Sequence, residues 1–205
     1  MSTREYAPGR LVDVFGDPSQ PAVLLWHGMQ TDARASVRTL AQLIVRHRVA
    51  VVVPDWDSHA SDGGRAALLQ SVDFARRFTT DPDGVVLVGW SMGGVAAAAL
   101  TVNSASFDVS FAHTVCLAGA FTARAPISGR LVADDVLPVA ASPQFATALR
   151  RADWPVEFEE LDADHGSIGG AAYDSALDQY LPAQDPPTLR VADAVAAHIA
   201  AVAGR

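Results

Sequence analysis

The chain has 205 residues, half of them apolar, with a net charge of −8 and no basic run. That length suits one globular domain, residues 1–205, burying about 70% of its unfolded surface, and the acidity argues against nucleic acid or an anionic membrane as a partner. The lone Cys116 excludes a disulfide within the chain and no stretch approaches a membrane span; Met1–Arg10 carries charge and a proline but no apolar segment, so no secretory signal and a cytoplasmic location are expected.

In chain order, Leu11–Phe15 and Ala22–Trp26 read as strands, the first as an edge hairpin partner. Ala33–His47 carries Val37, Leu40, Ile44 and Val45 at helical spacing, and Val49–Val53 is a short buried strand stopped by Pro54. A helix is predicted beyond Gly63-Gly64, with Leu68, Leu69, Val72 and Phe78 facing the core. Val85–Val88 is a β-branched strand, and Val95–Val102 an alanine-rich helix. His113–Ala118 follows as a strand, with Cys116 an inert buried thiol, and Ser142–Ala152 as a helix with Pro143 in its first turn. Val156–Leu161, V-E-F-E-E-L, alternates like a half-exposed strand near a sheet edge. Pro182–Pro187 is a loop, and Thr188–Val202 closes the chain with Val191, Val195, Ile199 and Val202 on one face. This alternation predicts an α/β protein with a mostly parallel sheet and helices on both faces.

Between the fourth strand and its helix stands G-W-S-M-G-G, residues 89–94, the signature of a nucleophile elbow. A sharp strand-to-helix turn lifts the Ser91 hydroxyl clear of the backbone, and Gly89 and Gly93 make the turn sterically possible. Acyl transfer by serine also needs a base, a carboxylate to orient it, and donors for the oxyanion. His165, in D-A-D-H-G-S, is the candidate base, because it lies in a turn-rich loop directly after the predicted Val156–Leu161 strand, and in open α/β sheets sites form at the carboxyl ends of strands. His27, His47, His59, His113 and His198 sit in less suitable places.

These motifs together, L-L-W-H-G, G-W-S-M-G-G, D-D-V-L-P and D-H-G, resemble the α/β-hydrolase family over about residues 21–168. The absence of an insert after the Val115–Ala118 strand resembles its small, lid-less esterase and dienelactone-hydrolase-like branch. The resemblance implies the order Ser91, acid, His165. Its D-x-x-x-P pattern selects Asp134, ahead of Pro138, with Asp135 as the rival. The preceding stretch Ile127–Ala133 is unusually polar and lacks the family's usual glycine. Asp162 and Asp164 read as builders of the His165 turn, although either is near enough to touch the imidazole.

The oxyanion donors are expected to be the backbone N–H groups of Met29 and Met92. Gly28 allows close approach, and His27 holds the loop. Trp56 and Trp90 should lie near the strand ends around the elbow, as core residues or as substrate contacts. The oxygen-rich loop Asp55–Gly64 lacks the ligand spacing of a calcium loop and reads as solvated. The expectation is a serine hydrolase acting on small carboxylic esters or thioesters, with no metal and no cofactor. Perhydrolysis, acyl transfer and peptide cleavage would use the same residues, and a non-catalytic binding module is the alternative outside enzymes.

Overall fold

The computed structural model describes residues 1–119 and 142–205. Asp134, Asp135 and the stretch Ile127–Ala133 lie outside the described residues. Six strands form the main sheet: β1 (Ser2–Ala7), β2 (Arg10–Phe15), β3 (Ala22–Trp26), β4 (Ala50–Pro54), β5 (Val86–Trp90) and β6 (His113–Leu117). Their order is β1-β2-β4-β3-β5-β6, with β3, β4, β5 and β6 parallel and β1 and β2 added antiparallel at one side.

The central strands are continuous apolar runs because both of their faces are covered. Side chains alternate across the sheet. Leu24, Trp26, Val52 and Leu87 join one core with helices α2 (Arg65–Phe78) and α3 (Met92–Val102). Val23, Leu25, Val51, Val53, Val86 and Val88 join the other, with α1 (Arg38–Arg46) and the C-terminal helix Pro186–Ala203. Leu40 and Ile44 of α1 and Val195, Ile199 and Val202 of the C-terminal helix are buried there, as their spacing predicts.

The chain leaves β3 through α1 for β4 on one side, whereas it leaves β5 through α3 for β6 on the other. Adjacent parallel strands whose connections diverge open a crevice at their carboxyl ends. Here that crevice lies between the ends of β3 and β5, where Trp26 pairs with Gly89.

Three local expectations are corrected. Leu11–Phe15 is not the edge, because β1 pairs outside it. β1 escapes pattern reading because only Tyr6 of its six residues is buried. Val156–Leu161 forms no strand: it finds no ladder among the described residues, and Phe158 and Leu161 remain exposed. A small antiparallel hairpin, β7 (Ala171–Asp174) and β8 (Gln179–Pro182), stands after the His165 loop where no element was expected. Among the described residues, no helix is long and apolar enough to cross a membrane.

Candidate active site

Ser91 occupies the turn between β5 and α3 at φ 57°, ψ −119°, a region that L-residues rarely adopt. The turn is fixed from both ends. Ser91 N–H donates to the Leu117 carbonyl at 2.9 Å, and the Ser91 carbonyl accepts from Gly94 and Val95 N–H at 3.0 and 3.2 Å. Glycine is required at two neighbouring positions. A Cβ at Gly89 would collide with the Gly93 carbonyl, and one at Gly93 would stand 2.5 Å from the carbonyl oxygens of Trp26 and His27. The small residues let α3 lie directly over the strand ends.

His165 Nε2 is 3.0 Å from Ser91 Oγ. The two residues are 74 positions apart, so the fold alone creates this pair. The loop carrying His165 is tied by a reciprocal turn: Asp164 Oδ1 accepts from Ser167 N–H at 2.7 Å, and Ser167 Oγ accepts from Asp164 N–H at 2.9 Å. Asp164 thereby builds the turn, and these bonds hold its carboxyl below the usual carboxylate range. Among the described residues, no carboxylate hydrogen-bonds the His165 ring. Partial burial lowers the His165 pKa below its ordinary 6.5, and the neighbouring Asp164 charge opposes that shift.

Trp90 has a role the sequence did not reveal. Only 2% exposed, it cannot present its ring face to a substrate, yet its indole Nε1–H donates to the His165 carbonyl at 2.7 Å. Its ring also lies 5.4 Å from the imidazole. The residue preceding Ser91 therefore holds the loop of the residue facing Ser91. The W of G-W-S was visible in the sequence, but its partner was not. Trp56 is likewise fully buried, stacked on His27 at 5.5 Å with its Nε1–H directed to the His27 carbonyl.

The turn after β3 completes the crevice. A Cβ at Gly28 would come within 3.3 Å of Ser91 Cβ and 3.4 Å of the Trp90 ring, so this backbone runs against the elbow. His27 is fully buried, with its Nε2 accepting from the N–H groups of Ala33 and Trp56 at 3.2 and 3.3 Å. Two donors at Nε2 place the ring proton on Nδ1, which donates to the Gly28 carbonyl at 2.8 Å. The Gly28 C=O and Met29 N–H belong to one peptide plane and point oppositely, so fixing the first orients the second. Met92 N–H, in the first turn of α3, lacks an intrahelical acceptor by geometry. Met29 N–H thus belongs to the turn that follows β3, and Met92 N–H to the first turn of α3. The Met29 side chain is 54% exposed.

The loop after β4 uses its carboxylates locally. Asp57 accepts from His59 N–H and Thr31 Oγ1, and Asp62 accepts from Gly64 and Ala66 N–H at the start of α2.

A model described as the alpha/beta hydrolase family matches residues 23–203. No curated protein matches the chain. Among solved structures, DphMB1 superposes with a TM-score of 0.65 at 18% identity, covering 99% of this chain and 84% of that one. The S-formylglutathione hydrolase FrmB from Staphylococcus aureus gives 0.60 at 16% identity over 95% of each chain. The thioesterase domain from the curacin biosynthetic pathway gives 0.45 at 20% identity over 60% of this chain, which spans only 45% of that one. At such identities the likeness is one of fold.

Proposed function

The chain belongs to the alpha/beta hydrolase family, and from that premise we propose that it is a serine hydrolase cleaving small carboxylic esters or thioesters through Ser91, His165 and Asp134. The observation that carries the reading is the 3.0 Å contact between His165 Nε2 and Ser91 Oγ at a strained elbow. In this reading all 205 residues form one cytoplasmic catalytic domain whose partner is its small-molecule substrate.

Ser91 Oγ attacks the acyl carbon while His165 Nε2 takes its proton. The carbonyl oxygen gains the negative charge and accepts hydrogen bonds from the Met29 and Met92 N–H groups, each such donor contributing roughly 2.7–4 kcal/mol to the transition state. As the C–O or C–S bond breaks, the imidazolium returns its proton to the leaving alcohol or thiol. Water then gives a proton to His165 and attacks the acyl carbon, and as the bond to Ser91 Oγ breaks His165 returns that proton to Oγ, freeing the acid and restoring the Ser91 hydroxyl. Asp134, chosen by its place ahead of Pro138, would accept from His165 Nδ1–H, with Asp135 as its neighbour. The lowered pKa of His165 suits this role, because it keeps the imidazole neutral and ready to accept a proton near pH 7.

A fluorophosphonate probe should label Ser91 in the folded protein, and Ser91→Ala should lower ester turnover by about a million-fold. A folded sample that does not react with the probe would refute the reading. A panel of p-nitrophenyl esters from acetate upward then orders the acyl preference.

A further inference from the structure

The β7–β8 hairpin lies against the candidate base; the Ala171 and Ala183 N–H groups tie its root to the Gly166 and Gly170 carbonyls, and one side chain fastens the Tyr180 backbone. Gln30 Oε1 accepts the Tyr180 N–H at 2.6 Å, and Gln30 Nε2 is 3.4 Å from the Tyr180 carbonyl. A carboxamide offering an acceptor and a donor to one residue's N–H and C=O imitates a neighbouring strand. Tyr180 pairs with Tyr173 across the hairpin, so Gln30 occupies the outer edge of β8. The residues are 150 positions apart.

The Tyr180 ring stands edge-on to Trp90 with centroids 5.1 Å apart and lies 5.8 Å from His165, while Trp90 and His165 are 5.4 Å apart. The imidazole thus has two aromatic walls. Trp90 is fixed by the core, but Tyr180 stands on a two-stranded hairpin, an element marginal by itself. Gly166, next to His165, also meets this wall: a Cβ there would come within 3.0 Å of Tyr180 Cε1. Gln30 in turn directly follows Met29.

We propose that Gln30 and Tyr180 form a clamp that positions His165, Gln30 tying the hairpin to the turn after β3 so that the Tyr180 ring closes one side of the imidazole. The clamp links the base to the oxyanion turn through a single side chain. Its catalytic meaning rests on the hydrolase reading above, whereas its effect on the imidazole does not. Besides Ser91, the ionisable groups facing His165 among the described residues are Asp164 and the Tyr180 phenol.

The test follows the His165 ring by NMR titration in the wild type, Gln30→Ala, Tyr180→Ala and the double variant. Loss of either partner should admit water to the imidazole and raise its titration midpoint toward that of free histidine. The double variant should rise no further than the larger single effect, since both substitutions open the same wall. With p-nitrophenyl acetate, Gln30→Ala should lower kcat about tenfold and change KM less than twofold. Should Gln30→Ala fail to fold, Gln30→Met, similar in length but without the hydrogen bonds, carries the same readouts. A His165 titration unchanged by the Gln30 substitution, or effects that add in the double variant, would overturn the clamp. Because the titration requires no turnover, a wild type inert to fluorophosphonate would sink the hydrolase reading and still leave the clamp to be judged.

Discussion

His27 should make the protein sensitive to mild acid. Its ring is fully buried and its Nε2 faces two N–H donors, so a proton has no acceptor there. Burial pushes its pKa down to about 4, with the Gly28 carbonyl partly opposing and Arg34 adding to the shift. In the unfolded chain the same imidazole titrates near its ordinary 6.5. The unfolded state therefore binds more protons between these values. The contribution is fully present above pH 6.5 and is lost as pH falls toward about 4. Between pH 7 and pH 5 this site alone should cost about 2 kcal/mol, and about 3 kcal/mol by pH 4. Those are large fractions of an ordinary domain's stability of about 5–15 kcal/mol. Urea unfolding followed by tryptophan fluorescence at pH 7, 6 and 5 measures the effect, with His27→Asn as a reference that keeps a donor near Nδ1 but cannot titrate. Relative to that variant, the extra proton uptake of the wild type on unfolding should grow from about a quarter of a proton at pH 7 to nearly one at pH 5. Equal slopes of stability against pH in the two proteins would refute the reasoning.

Four further outcomes are expected. Ester kcat/KM should rise with pH through a midpoint below the ordinary imidazole value, because His165 acts deprotonated and burial lowers its pKa; a rise centred above 6.5 would contradict this. Trp90→Phe keeps a ring but removes the donor to the His165 carbonyl, so it should cost about 1 kcal/mol in urea unfolding and lower kcat as well. Gly28→Ala places a methyl 3.3 Å from Ser91 Cβ and should reduce kcat about tenfold or more with little change in Tm; undiminished turnover would mean that the turn can retreat without consequence. Gly169→Ala drives a methyl to 2.8–2.9 Å from three Trp90 ring atoms, and denaturant unfolding should show about 1–3 kcal/mol of overpacking.

Elements whose apolar period is local were legible in the sequence. α1, α2 and the C-terminal helix each bury one face, and β4 and β5 are unbroken apolar runs, so composition and spacing announced them. The elbow was legible because its glycines and Ser91 fall within six consecutive residues; Gly89 answers to the Gly93 carbonyl inside that motif, although the demand on Gly93 comes from the Trp26 and His27 carbonyls at the end of β3. β1 and the β7–β8 hairpin were not, because their few buried residues leave no periodic signal. Val156–Leu161 shows the converse, an alternating pattern that finds no described neighbour to complete a ladder.

The sequence by itself determined that a serine stands on a strand-to-helix turn of an α/β chain, with a histidine late in a turn-rich loop. Tertiary structure decided what surrounds them. Only the divergence of the chain after β3 and β5 brings Gly28 against Ser91, and only folding brings His165 within 3.0 Å of it. Trp90 serving the His165 carbonyl and Gln30 serving the Tyr180 backbone belong to the same class of fact. A side chain's type records what it can donate or accept, but its partner 75 or 150 residues away is chosen by the sheet that brings the two segments together.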